Sequence, residues 1–311
     1  MSRLSDIAAQ PTLREYAQGA AQSATQPVAD FIAPTVDVPV PVGKYKVYTE
    51  KNRFHIPRTL RPIGGRAVEL GWDATDATYN CAAHALDFPV DQQEEDASLE
   101  AALQEGATMI AEVAGLAHEK SVIDAAVAAA GAGTDKNWGS GGTNPIDDID
   151  AQILAVIKAA KYGSLMGIGI VFGATAWQRF KAHSTVTGKF VVGNARTQTR
   201  VAVPTLDAVG ELFLGNPEVR ASFMVYDTAA EGVAESISFL LDTALLIFAR
   251  KANPTRRDPS FMKTFRLAGR YMVPGSYMRD DGRVEVAKFD WSEQVVVTNS
   301  SAVVRLNANL S

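Results

Sequence analysis

The sequence predicts a mixed α+β fold, in which helical and strand-like segments follow one another and a β-rich stretch closes the chain. Apolar residues recur at helical spacing from Asp91 to about Ala130 and again after Asn144. Short apolar or alternating runs, bounded by Gly, Pro, Asn and Asp, occur before residue 90 and after residue 236. With 311 residues, 47% of them hydrophobic, the chain is able to bury a large core.

The first 90 residues are predicted to be an extended arm followed by a two-stranded excursion. Residues 1–41 show little periodicity and end in a Pro-rich run that is typical of polyproline II structure. Such an arm needs a partner surface to become ordered. From Tyr45 to Ala85, strand-like pieces surround Gly64 and Gly65, and an alternating segment follows that turn.

Two long helices are predicted in the middle of the chain. Acidic residues from Asp91 favour a helix start, and the helix should continue to about Ala130. Its expected apolar face consists of Leu99, Leu103, Ile110, Val113 and Leu116. The second helix has Asn144 as its N-cap and Pro145 at its first position, and it should end near Tyr162. Its expected buried stripe consists of Ile146, Ile149, Ile153, Val156 and Ile157.

Two helix-and-strand units and a series of strands are predicted for the remainder. Met166 to Phe172 has the composition of a buried strand, and Thr175 is suited to cap a short helix with Trp177 and Phe180 on one face. A helix over Thr205 to Leu214 should precede a strand over Ala221 to Tyr226. The later strand candidates are Ser236–Phe248, Lys263–Met272, Val284–Phe289, Val295–Val297 and Ala302–Leu306.

Composition argues against several classes of protein. The formal charge of −5 and the pI near 5.5 disfavour a sequence-specific DNA-binding protein, which needs clustered Lys and Arg. Cys81 is the single cysteine, so an intrachain disulfide is excluded and a reducing cytoplasm is suitable. No signal peptide is visible, and the apolar stretch Ile237–Ala249 is interrupted by Asp242 and is too short to span a bilayer. A soluble protein is expected, with no membrane contact.

No arrangement typical of catalysis or metal binding is found. The loop Gly139–Gly142 could hold a phosphate, but it lacks the Lys-Ser/Thr pair of a P-loop, so a connector is the preferred interpretation. The four histidines, His55, His84, His118 and His183, do not have a metal-ligand spacing. Cys81 and His84 should lie on opposite faces of a strand. We therefore expect no catalytic, cofactor or metal site and no enzymatic activity.

Three segments, in their order, resemble the major capsid proteins of tailed double-stranded DNA bacteriophages, which have the Hong Kong 97-like fold. The most specific runs from Trp138 through Asn144-Pro145-Ile146-Asp147-Asp148-Ile149 to Val171-Phe172-Gly173, Trp177, Phe180 and His183. The others are Tyr79–Ala85 with Pro89-Val90-Asp91, and Asn253-Pro254 with Asp258-Pro259-Ser260-Phe261 through Thr264-Phe265. The resemblance covers most of residues 45–306.

The resemblance implies a division of the chain into the parts of a capsid subunit. Residues 1–44 would be the N-terminal arm and residues 45–89 the extended E-loop region. Residues 90–135 would be the spine helix of the P-domain. Residues 136–311 would contain the A-domain and the remaining P-domain strands, which interleave along the chain.

The resemblance also implies the function and the partners. The subunit would self-assemble as pentamers and hexamers into the icosahedral head that encloses the phage genome. Its other partners would be the portal protein, a separate scaffolding protein and a decoration protein, and it would contact the packaged DNA weakly and nonspecifically. It would be part of the virion and would be assembled in the host cytoplasm. Lys51 is a conceivable crosslink donor, but no motif assigns it, so crosslinking is presumed absent.

The apolar rim of the E-loop is the expected contact with a neighbouring subunit. The candidate residues are Phe54, Ile56, Leu60, Val68, Leu70 and Trp72. Packing inside their own subunit is the alternative, above all for Leu70 and Trp72. Two other functions remain open: the shell protein of an encapsulin-like compartment, and, less favoured, a soluble α/β enzyme that binds phosphate at Gly139–Gly142.

Overall fold

The structure is a computed structural model, and it describes most of the chain after residue 27. The described residues are 28–48, 56, 59–61, 63–69, 74–91, 99–139, 142–160, 167–189, 191–192, 200–201, 205–230, 232–256 and 258–309. Within them, no helix is both long enough and apolar enough to cross a bilayer.

Helices and strands alternate irregularly along the described chain. The helices are α1 (Val28–Ile32), α2 (Leu99–Ala130), α3 (Pro145–Ala160), α4 (Ala174–Ala182), α5 (Ser184–Lys189) and α6 (Leu206–Gly210), with a 3-10 turn at Ser300–Ala302. The strands before residue 202 are β1 (Thr35–Val38), β2 (Val42–Tyr48), β3 (Ala74–Asn80), β4 (Ala82–Asp91), β5 (Thr134–Asn137), β6 (Gly167–Phe172), β7 (Val191–Val192) and β8 (Arg200–Val201). The later strands are β9 (Glu218–Ala221), β10 (Val225–Asp227), β11 (Ile237–Phe239), β12 (Ala244–Arg250), β13 (Met262–Leu267), β14 (Val273–Met278), β15 (Val284–Val297) and β16 (Val303–Asn309).

The first five-stranded sheet is built around the long strand β15. One edge of β15 pairs with β14 and β13 in turn, β1 extends the sheet beyond β13, and β4 pairs along the other edge of β15. Helix α2 packs across β15 and β4. It approaches β4 closely at Gly106, where any Cβ would overlap with the Phe88 ring.

The second five-stranded sheet has the order β5-β16-β12-β6-β9. Strand β12 is buried along its length because it lies between β16 and β6, and α3 packs against it. Phe172, Trp177 and Phe180 form an aromatic cluster with ring centroids 5.1–5.9 Å apart. The same core receives Phe31 of α1 and Ile123 of α2, so α2 has contacts with both sheets.

Several predictions made from local sequence are confirmed. The fold is mixed α+β, and within the predicted two-stranded excursion β2 (Val42–Tyr48) pairs with β3 (Ala74–Asn80) as an antiparallel ribbon. Asn144 caps α3, since its Oδ1 accepts a hydrogen bond from the Ile146 amide at 3.1 Å. The predicted stripe of α3 is buried at four positions, and Ile157 packs partly buried against the same core.

Other predictions were wrong, mostly at element boundaries. Asp91 does not begin a helix but ends β4, where it pairs with Val284, and α2 begins at Leu99. Residues 28–38 of the predicted arm are packed on their own subunit: α1 is largely buried, and β1 pairs in parallel with β13. Residues 1–27 of that arm lie outside the described residues. Thr175 does not cap α4, which follows Gly173; its hydroxyl donates to the Asp242 carboxylate instead.

Two further corrections concern the strands and the face of α2. Ser236–Phe248 is divided into β11 and β12, whereas Val284–Phe289 and Val295–Val297 belong to the single strand β15. Val113 is 45% exposed, because α2 packs on the sheet through small residues that include Ala107, Ala111 and Ala114. The side chains of Leu99 and Leu103 lie outside the described residues.

Candidate assembly surface

The ribbon formed by β2 and β3 is fixed at its base to the first sheet. Tyr79 stacks on Phe265 with ring centroids 4.8 Å apart, and Tyr45 lies 5.4 Å from the same ring. The Cys81 thiol donates to the Phe265 carbonyl at 3.4 Å, and the Asn80 amide donates to Gln294 Oε1 at 2.6 Å. These contacts give the loop between the strands a rigid base on β13 and β15.

The ribbon also has contacts that join its two strands. Gly43 faces Tyr79 so closely that a Cβ would overlap with the phenol hydroxyl. Lys46 and Asp76 form an ion pair at 2.6 Å. The hydrogen bond from Lys46 lowers the pKa of Asp76, which favours the ionised carboxylate.

Beyond its base, the ribbon presents apolar side chains to solvent, among them three of the predicted contact residues. Ile56 is 90% exposed, Leu60 78% and Val68 59%. Ile63, which the sequence analysis did not select, is fully exposed. Exposed large apolar side chains concentrated on one segment are typical of a contact surface. Phe54, Leu70 and Trp72, the other predicted contacts, lie outside the described residues.

The loop is basic as well as apolar. Residues 51–68 contain five Lys and Arg residues and no Asp or Glu. Arg61 and Arg66 are both exposed. A partner surface for this loop should therefore combine apolar area with negative charge.

Helix α2 is held in place by two buried carboxylates on opposite sides. His118 Nδ1 lies 3.0 Å from Glu293 Oε1, and Arg266 pairs with the other oxygen of Glu293 at 2.8 Å. Burial alone would raise the pKa of Glu293, but these two partners lower it to about 2. Glu119 faces α1, where its Oε1 accepts a hydrogen bond from the Ala29 amide at 3.1 Å. Burial raises the pKa of Glu119 to about 7.

The glycine loop before α3 is held by the carboxylate of Asp148. Asp148 Oδ2 accepts hydrogen bonds from Trp138 Nε1 at 3.1 Å and from the Thr143 hydroxyl at 2.5 Å, and Lys136 pairs with Oδ1 at 2.7 Å. Burial would raise the pKa of Asp148, but these partners lower it. A carboxylate in this position repels phosphate, so the geometry favours a structural role for the loop.

Among the described candidate groups, His84 and His118 line a common pocket between α2, β4 and β15, and Cys81 and His183 do not line it. His55 lies outside the described residues. Cys81 is buried against Phe265, whereas His84 stacks on Trp291 with ring centroids 5.3 Å apart. His118 is hydrogen-bonded to Glu293, and the His183 ring accepts a hydrogen bond from the Thr185 amide. Among the described residues, no group of three or more His, Cys, Asp and Glu side chains could hold a metal ion.

Comparison with known proteins shows the fold. No family model matches the sequence, and no curated protein matches it. A phage-related protein from Bordetella bronchiseptica RB50 has a similar structure, with a TM-score of 0.67 at 16% identity over 96% of each chain. A subunit of the bacteriophage PhiM1 mature capsid has a TM-score of 0.55 at 11% identity, over 90% of this chain and 86% of that one.

An encapsulin is also similar in structure. In the holo-SrpI encapsulin complex from Synechococcus elongatus PCC 7942, the matching chain has a TM-score of 0.53 at 12% identity, over 90% of this chain and 89% of that one. These similarities cover 90–96% of this chain. The chain therefore has the Hong Kong 97-like capsid fold that the sequence motifs predicted.

Proposed function

We propose that this chain is the major capsid protein of a tailed double-stranded DNA bacteriophage. In this proposal it assembles as pentamers and hexamers into the icosahedral head. The observation that carries the proposal is the fold, which resembles that of a mature phage capsid subunit over nine tenths of the chain. The apolar side chains of Ile56, Leu60, Ile63 and Val68 support it, because the part of the chain that the structure describes leaves them exposed.

Shell assembly by this chain would depend on overlap between subunits. Each subunit would contribute its loop to one neighbour and receive the loop of another. Repeated around a symmetry axis, such head-to-tail contacts form a closed ring. A stable protein interface typically buries about 1,200–2,000 Å². Four exposed apolar side chains supply only a part of this area, so the sheets and helices of neighbouring subunits would supply the rest.

The further partners follow from the same proposal. Residues 1–44 would be the N-terminal arm, and a separate scaffolding protein, a portal protein and a decoration protein would complete the head. The net charge of −5 favours weak, nonspecific contact with the packaged DNA. The mature subunit would be part of the virion, after assembly in the host cytoplasm.

Sedimentation of the purified protein, expressed with and without the scaffold of its own phage, tests the proposal. We expect pentamers and hexamers, or particles of hundreds of subunits, under at least one of these conditions. A protein that sediments as a monomer in both conditions, and in addition binds a nucleotide, would instead support the enzyme with a phosphate site at Gly139–Gly142.

An encapsulin-like shell is the second candidate, because an encapsulin subunit has a similar fold. The two candidates differ in what the particle encloses. Particles purified from infected or induced cells should contain double-stranded DNA if the chain is a phage capsid protein, and a packaged enzyme if it is an encapsulin. Nuclease-protected nucleic acid and the protein content of purified particles distinguish the two.

A further inference from the structure

A pocket of about 310 Å³ lies between helix α2 and strands β4 and β15 of the first sheet. Small residues on one face of α2 leave this space open, and they are Ala114, Ala117, Ser121 and Ala125. Ala117 and Ser121 are exposed, so the pocket opens to solvent on their side. A cavity of roughly 150 Å³ holds benzene, so a pocket of twice that volume has room for two fused rings.

The wall of the pocket includes a buried nitrogen that lacks a hydrogen-bond partner. The side chain of His118 is only 7% exposed, and it lines the pocket. Its Nε2 has no hydrogen-bond partner among the described residues. A buried polar atom without a partner is costly, so a molecule that supplies the missing hydrogen bond gains affinity.

Glu293 determines which kind of partner His118 needs. His118 Nδ1 lies 3.0 Å from Glu293 Oε1, and Arg266 pairs with Glu293 Oε2 at 2.8 Å. An ionised carboxylate only accepts hydrogen bonds, so Nδ1 carries the proton between them. In the neutral imidazole, Nε2 is then an acceptor and needs a donor from a ligand. Arg266 balances the charge of Glu293, so the pocket favours a neutral molecule over an ion.

The sheet contributes two aromatic rings to the pocket. His84 of β4 and Trp291 of β15 both line it, and their rings stack with centroids 5.3 Å apart and an interplanar angle of 15°. Trp291 is partly buried, so part of its ring is available to a bound molecule. Flat aromatic side chains pack favourably against another planar ring.

We propose that this pocket binds a neutral, planar aromatic molecule of two fused rings with one N–H group, of which indole is the simplest example. The ring packs against Trp291 and the alanines of α2, and its N–H donates to His118 Nε2. The bound molecule contacts α2 and the sheet together, so it stabilises the folded subunit. This site belongs to the single subunit and does not depend on the proposed function.

Isothermal titration calorimetry of the purified full-length protein with indole and with N-methylindole tests the hydrogen bond. The two molecules share the same rings, but N-methylindole has no donor, so we expect indole to bind at least fivefold more tightly. His118→Phe keeps a ring and removes the acceptor, and it should bind both molecules equally. Circular dichroism checks that this variant is folded. No binding of indole up to its solubility limit, or equal binding of both molecules by the original protein, would overturn the proposal.

A second pair of variants locates the bound molecule. Ala117→Leu places a larger side chain in the pocket and should weaken indole binding at least tenfold. Ala128→Leu is the matched control, because Ala128 is exposed on the same helix and does not line the pocket. Equal affinities of these two variants would place indole elsewhere and would overturn the proposal. Binding by free subunits but not by assembled shells would assign the pocket to a side chain of a neighbouring copy, and would also overturn it.

Discussion

The buried carboxylate of Glu119 should make the stability of the subunit depend on pH. Its side chain is buried, its Oε1 accepts a hydrogen bond from the Ala29 amide, and its Oε2 has no hydrogen-bond partner among the described residues. Burial raises its pKa from 4.5 to about 7. The folded state therefore binds this proton more tightly than the unfolded chain, so the contribution of Glu119 to stability is fully present below pH 4.5 and is lost as pH rises from 4.5 through 7.

The size of this effect follows from the two pKa values. A rise from 4.5 to about 7 corresponds to about 3 kcal/mol of stability lost between pH 4.5 and 8. Glu119→Gln cannot ionise, so it should remove this loss. We expect the variant to be about 2–3 kcal/mol more stable than the original protein at pH 8, and within about 1 kcal/mol of it at pH 5.

Urea unfolding of the unassembled protein from pH 5 to 8, followed by circular dichroism, measures this difference. Glu293, whose pKa is lowered to about 2, is ionised throughout that range in both states, so it does not contribute. Glu112→Gln is the matched control, because Glu112 is exposed on the same helix. Parallel pH profiles for Glu119→Gln and the original protein would refute the reasoning.

Three further predictions concern the packing of the subunit. Asp148→Ala removes the acceptor of an indole, a hydroxyl and an ammonium group, so it should lower the free energy of unfolding in urea by about 2–4 kcal/mol. A decrease of less than about 0.5 kcal/mol would show that water replaces the carboxylate as acceptor. Gly106→Ala should lower the free energy of unfolding by about 1–2 kcal/mol, although Ala favours helices, because its Cβ would overlap with the Phe88 ring. Adding Phe88→Leu should restore part of this loss. A Gly106→Ala protein that is more stable than the original would contradict the close approach of α2 to β4. Glu293 is ionised down to about pH 2, so stability should fall as pH decreases from 4.5 towards 2. Glu293→Gln should make that fall smaller, and an unchanged acid profile would count against the ion pair with Arg266.

Elements whose signals are local could be predicted from the sequence. Helix α3 has an N-cap, a proline at its first position and a regular apolar stripe, all within 16 residues. Strand β6 was found because its apolar run is short and continuous. The exposed loop could be predicted for the same reason, since apolar residues among prolines and glycines mark a surface segment.

Features that depend on distant pairing could not be predicted in this way. The acidic end of β4 has the composition of a helix start, but pairing with β15, nearly 200 residues later, makes it a strand. Strand β14 was missed because Pro274 and Gly275 break local patterns, although proline is tolerated on an edge strand that pairs on one side only. Ile63 was missed because it lies inside a turn, where periodicity carries no information.

Electron microscopy of the purified full-length protein, with and without its scaffold, tests the central claim most directly. We expect closed particles with icosahedral symmetry, or isolated rings of five and six subunits. In both, the β2–β3 loop of each subunit should face a neighbouring subunit. Monomers alone at every concentration and in both conditions would contradict it.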